Sequence, residues 1–172
     1  DGWPLWAMCE HLEAVTAGKI RRLLINVPPG FMKSMLVNVF WPAWEWSAAG
    51  KGVTRYVTFS YASYLTQRDN GRFRDILRSH EFKELWGKDL KMVADGVVKI
   101  ANADKGWKFA TSVDGVGTGE RGDRILADDL HNVKEAESDA VRTETVRWVR
   151  EGMSNRLNDM IKVVIIGIGQ IV

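Results

Sequence analysis

The sequence predicts an α/β domain: a mainly parallel central sheet flanked by helices, with a β-hairpin inserted before an acidic strand. Three observations carry that expectation. Short apolar runs alternate with segments of helical periodicity in the order strand, helix, strand, helix. The runs are apolar on both faces, as strands buried in a parallel sheet must be. The length of 172 residues suits one domain, which at this size buries roughly 70% of its unfolded surface without a disulfide or metal.

The elements follow in order. Residues 22–27 (RLLINV) form an apolar run that stops at Pro28-Pro29-Gly30, as a buried strand entering a turn would. Residues 33–49 read as a helix that Pro42 should kink or shorten. After a turn at 50–52, a second strand lies near 54–60, and residues 61–85 are helical, with Leu65, Phe73, Ile76, Leu77 and Phe82 as the apolar face. Runs at 97–101 and 107–113 make the hairpin, in which Trp107, Phe109, Thr111 and Val113 alternate with Lys108, Ala110 and Ser112 in a half-buried pattern. A glycine-rich stretch, 115–122, precedes a strand at 124–128. A long helix over 134–157 leads to a last strand near 163–168.

Composition narrows the classes. With 45% hydrophobic and 27% charged residues the chain has the make-up of an ordinary globular protein, and Cys9, its one cysteine, excludes a disulfide framework or a cysteine-rich zinc site. A net charge of +2 neither demands nor excludes nucleic acid. No apolar run approaches the ~18 residues of a membrane span and no signal peptide opens the chain, so no membrane partner and a reducing intracellular setting are expected. The chain opens without methionine and stops after an apolar run, as a piece excised from a longer protein would. His11, His80 and His131 lack metal-ligand spacing and read as structural or solvated.

Two segments carry chemistry. In Asn26-Val27-Pro28-Pro29-Gly30-Phe31-Met32-Lys33-Ser34, a strand, a glycine turn and a Lys-Ser pair open a helix, which is how a nucleoside triphosphate is held. Backbone N–H groups at the helix start face the phosphates, the lysine neutralises them, and the hydroxyl ligates magnesium. Val27 and Met32 stand where the strict GxxxxGK[ST] pattern has glycine, and a plain strand-to-helix turn with a chance Lys-Ser pair fits the segment too.

The second is Asp128-Asp129, at the carboxyl end of the acidic strand, where ligands bind in open α/β sheets. The first carboxylate can hold magnesium, and the second can orient and deprotonate an attacking water. Taken alone, the pair also fits a strand exit with solvated aspartates. Together with Lys33-Ser34 it favours a catalytic site. The glycine stretch follows a hairpin and precedes a strand, so it is no dinucleotide fingerprint. It reads instead as a loop carrying Arg121 beside the carboxylates, either to stabilise transition-state charge or as a solvated surface arginine.

These segments together resemble the ATPase domain of the large terminase subunit of tailed bacteriophages and prophages. RRLLINVPPGFMKS, VFWPAWEW, SVDGVGTGERGDRILADDLHNVKEAES and SNRL carry the resemblance, which spans nearly the whole chain. It implies a single P-loop NTPase domain of the additional-strand type over 1–172, separate from a C-terminal nuclease domain that these residues do not include. It implies magnesium-dependent ATP hydrolysis that drives double-stranded DNA into a procapsid. The partners would be a portal protein, a small terminase subunit and copies of the chain in a ring, in the cytoplasm of an infected bacterial host.

Residue by residue, the resemblance makes Lys33 the phosphate-loop lysine, with Pro29, Gly30, Phe31 and Met32 cradling phosphates. Ser34 and Asp128 would organise Mg2+, and Asp129 would be the catalytic carboxylate, where many relatives carry glutamate. Arg121 would be an arginine finger given to a neighbouring subunit, with Arg124 as runner-up. Gln170 would sense the γ-phosphate, although Ile171 follows it where relatives often have arginine. Trp3, Pro4 and Trp6 fall where such proteins contact adenine. Trp41, Trp44 and Trp46 read as core or interface, and Arg68, Arg72, Arg74 and Arg78 as a DNA-contacting or solvated helix face. Two other readings stand beside this one: a helicase-like nucleic-acid ATPase, and a non-catalytic nucleotide-binding assembly module.

Overall fold

The structure, a computed structural model, describes residues 2–87, 90–113, 115, 119–130, 138–151 and 163–169. Seven strands form one sheet in the order β1-β7-β6-β2-β5-β4-β3. β1 (Arg22–Asn26), β7 (Val164–Gly169), β6 (Arg124–Asp128), β2 (Arg55–Ser60) and β5 (Trp107–Ser112) run parallel, so their carboxyl ends share one edge. β4 (Lys99–Asn102) and β3 (Met92–Asp95) continue the sheet antiparallel. The expected hairpin is therefore β4–β5, which lies before the acidic strand β6. β5 is itself paired in parallel to β2, from Arg55↔Trp107 to Ser60↔Ser112, and the hairpin extends the main sheet.

Helix α1 (Trp3–Thr16) precedes β1 and was not anticipated, although its buried Met8, Leu12 and Val15 recur at helical spacing. The helix after the 28–32 loop runs through α2 (Lys33–Met35), a π-helical turn (Leu36–Phe40) and α3 (Trp41–Trp46). The wide turn falls immediately upstream of Pro42, whose missing N–H and ring disrupt the α-helical ladder there. The helix expected over 61–85 divides into α4 (Ser63–Arg78) and α5 (His80–Phe82). Ser79 turns extended between them, and its Oγ accepts the Phe82 N–H as a new N-cap. α6 (Asp139–Glu151) covers the described part of the helix expected over 134–157. Among the described residues no helix is long and apolar enough to cross a membrane.

Side chains of alternate sign along each strand fill two cores. On one face Ile25, Tyr56, Leu126 and Ile166 pack with α1, α3 and α4 through Leu12, Trp41, Trp46 and Phe73. On the other, Val57, Phe59 and Ile125 meet Trp148 of α6, whose ring lies 4.9 Å from that of Phe59, centre to centre. Trp41 and Trp46 are thus core residues, whereas Trp44 is partly exposed.

A charged cluster locks the amino-terminal edge of the sheet. Glu45 of α3 is fully buried; its Oε1 accepts from Thr16 Oγ1 (2.8 Å) and Arg124 Nη2 (3.0 Å), and its Oε2 accepts from the Tyr56 hydroxyl. Trp41 Nε1 donates to Thr16 Oγ1 at 2.9 Å, and the Arg124 guanidinium lies over the Trp41 ring. Burial first, and then the facing Glu45 carboxylate, push the Tyr56 phenol well above 10, so it remains a neutral donor.

The half-buried pattern expected of β5 is also corrected. Lys108 is fully buried, because α4 covers the face it was expected to present to water. Its ammonium donates to Asn70 Oδ1 and to Thr58 Oγ1 and lies over the Phe73 ring. Burial lowers its pKa to about 7, with Asp69 pulling weakly the other way. An unfolded lysine keeps its proton to about 10.4. Between these values the unfolded chain binds the extra proton, so this group makes stability rise with pH from 7 to 10. Lys108→Met is expected to be more stable than the native chain by about 2–3 kcal/mol at pH 7 after its lost hydrogen bonds are counted. The gain should shrink towards pH 10, as read by urea unfolding across that range.

Candidate functional site

The parallel register brings the two chemical segments to one edge. Lys33 follows the carboxyl end of β1 and Asp129 that of β6, with β7 between them. Lys33 is buried, and its Nζ lies 3.6 Å from Asp129 Oδ2. The Asp129 backbone is pinned on both sides: its N–H donates to the Ile168 carbonyl (3.0 Å), and its own carbonyl accepts from the Tyr61 N–H (3.3 Å).

Backbone conformation marks the same place. Among the described residues, non-glycine positions with φ in the left-handed region are Met32 (+56°), Lys105 and Asp129 (+41°); Met32 precedes Lys33 in the ion pair and Asp129 is its other member. Such conformations cost about 1–2 kcal/mol for a non-glycine residue and gather at functional sites. Met32 stands where the strict phosphate-loop pattern has glycine. Its side chain departs from the pattern, but its backbone adopts the conformation that glycine is used for. Gly30, with φ +88°, occupies the turn just before it. Pro28, Pro29, Gly30, Phe31 and Met32 all form an exposed loop.

Asp128 differs from its neighbour. It is buried, its Oδ2 accepts from Asn38 Nδ2 at 2.9 Å, and its Oδ1 has no hydrogen-bond partner. Burial raises its pKa to about 6, and the Asp129 and Asp69 carboxylates push the same way, while the Ser34 hydroxyl and the Lys33 ammonium pull it back. A buried carboxylate oxygen without a donor, next to a helix-start hydroxyl, suits a hard divalent cation. Among the described residues no group of three or more His, Cys, Asp or Glu side chains could hold a metal. Magnesium asks for less: one or two protein ligands, with phosphate and water completing the shell.

Other predicted residues lie elsewhere. Arg121 is exposed but does not stand beside the carboxylates. It precedes β6 at the opposite edge of the sheet, where Asp123 N–H bonds the Arg55 carbonyl and the Asp123 carboxylate pairs with the Arg55 guanidinium. β6 rises about 13 Å between Arg124 and Asp128. The physical reason is directional: a parallel strand is entered at one edge and left at the other. Arg124, the runner-up, is largely buried and paired with Glu45. Gln170 lies outside the described residues, as does His131; the described strand ends at Gly169 beside Asn26.

The arginines of α4 are no free basic stripe. Arg68 and Arg72 pair with Asp69, Arg74 with Asp75 and Arg78 with Asp95. Beside the 28–32 loop an apolar groove of about 740 Å3 is lined by Trp3, Pro4 and His11 of α1 together with Leu24, Pro28 and Phe31. Trp6 is exposed and does not line it. Sequence reasoning missed Asn38, which carries no motif signal; its fourth place after Ser34 matters only once the helix is docked on β6.

No model of a known protein family matches the chain, and comparison with curated proteins returns no match.

Proposed function

We propose that the domain hydrolyses ATP with magnesium and that this drives double-stranded DNA into a procapsid, as in the large terminase subunits its motifs resemble. The observation that carries the reading is the Lys33–Asp129 pair at 3.6 Å, with the partly unsatisfied Asp128 next in chain. β7 between the phosphate-loop strand and the acidic strand supports a P-loop fold of the additional-strand type. The apolar groove at the loop supports a nucleobase seat.

In this reading the exposed loop 29–32 cradles the phosphates and Lys33 turns from Asp129 to bind them. Ser34 and Asp128 would hold Mg2+, which when bound would neutralise phosphate charge. Asp129 orients a water and accepts its proton as the water attacks the γ-phosphorus and the bond to ADP breaks. Arg121 is beyond reach of its own site, so it serves a neighbour in a ring on the portal protein, alongside a small terminase subunit in the host cytoplasm. Gln170 follows β7 and is the proposed γ-phosphate sensor.

The test is ATP turnover with magnesium over a protein-concentration series. Lys33→Ala is expected to lower turnover at every concentration by about tenfold or more. Arg121→Ala is expected to keep the dilute-chain rate and lose its rise with concentration. A residual rate equal in all three proteins would remove the catalytic reading and leave a nucleotide-binding assembly module. Strand separation during turnover would point to a helicase-like motor instead.

A further inference from the structure

We propose that Asn38 is a positioning residue that fixes the Asp128 carboxylate for a divalent cation; this rests on the function proposed above. The geometry is specific. Asn38 lies in the π-helical turn (Leu36–Phe40), on the helix that begins with Lys33 and Ser34, and is 1% exposed. Its Nδ2 donates to Asp128 Oδ2 at 2.9 Å across 90 residues of chain. The amide orientation is dictated by the carboxylate, since the reverse would set two oxygens against each other.

The unsatisfied atoms then become informative. The buried side-chain oxygens without a partner, among the described residues, are Asn38 Oδ1 and Asp128 Oδ1, and they belong to the same hydrogen-bonded pair. Leaving a buried polar atom unpaired is costly, and a purely structural asparagine would avoid it. Asn38 Nδ2 and Asp128 Oδ2 hold the pair together, and the two oxygens left over, Asn38 Oδ1 and Asp128 Oδ1, are both acceptors. A hydrated cation supplies both things they lack: positive charge for the carboxylate and water protons for the amide oxygen. Asn38 thereby holds one Asp128 oxygen so that the other remains for the ion, which is how outer-shell partners orient metal-binding carboxylates.

The experiment compares the native chain, Asn38→Leu, Asn38→Ala and Asp128→Asn. Mn2+ binding in the presence of ATP is followed by electron paramagnetic resonance, and binding of a fluorescent ATP analogue is measured without metal. Expected for both Asn38 variants is Mn2+ affinity weaker by about tenfold or more, with metal-free nucleotide binding within twofold of native. The alanine variant serves where leucine does not fold. Native-like Mn2+ affinity in a folded Asn38 variant overturns the proposal. If Asp128→Asn weakens Mn2+ binding while the Asn38 variants do not, this inference alone fails. A native chain that binds no Mn2+ with ATP overturns it together with the nucleotide reading.

Discussion

Asp129→Asn is expected to lower magnesium-dependent ATP turnover by about 10²–10⁴-fold while nucleotide binding stays within a few fold of native. Asparagine keeps the size of the side chain and is among the few residues that tolerate the left-handed conformation found here, φ +41°. The pinned backbone, held by Ile168 and Tyr61, is therefore retained. What the proposed mechanism loses is its proton acceptor. The exchange also removes the carboxylate that faces Lys33 at 3.6 Å, so the lysine is freed for phosphate and binding should hold or tighten. Single-turnover hydrolysis and equilibrium binding separate the two effects. A fall in binding equal to the fall in rate would show that Asp129 merely supports the loop.

Glu45→Ala is expected to destabilise the domain by about 3–5 kcal/mol. Glu45 has no solvent exposure, and its removal leaves the largely buried Arg124 guanidinium without its carboxylate and the Tyr56 hydroxyl without its acceptor. The pair as a whole need not stabilise much, because desolvating two charges offsets most of their attraction. The double replacement Glu45→Leu with Arg124→Met should therefore recover most of the loss. Urea unfolding at pH 7 gives both values. A single variant within 1 kcal/mol of native would show that water enters and solvates Arg124.

The contrast between these residues shows what a sequence can reveal. Lys33-Ser34 and Asp128-Asp129 were legible because each follows an apolar strand, and parallel strands deliver their exits to one edge. The strands themselves were legible from the same runs, and the strand that was missed, β3 at the sheet's outer end, is short and mostly exposed. Lys108 looked like a solvent-facing residue because alternation alone does not reveal that α4 covers that face. Arg121 looked close to Asp128 because seven positions are few along a chain, whereas along a strand they cross the sheet. Asn38 and Glu45 were invisible for a similar reason. Their partners lie far off in sequence, and no local pattern distinguishes a buried asparagine or glutamate in a helix from a solvated one.

The helix that starts at Lys33 touches β6 twice: Asn38 holds Asp128 at one end of that strand, and Glu45 holds Arg124 at the other. The two contacts lie about 10 Å apart along the helix and about 13 Å apart along the strand, so helix and strand form a bar bolted at both ends. The spacing between the lysine and the carboxylates is thus set by the length of that bar and not by the pliable loop before it. A loosened bolt at Glu45 lets the far end swing. Damage remote from the chemistry would then register as a misaligned lysine, and a one-residue deletion anywhere between the bolts would put both out of step.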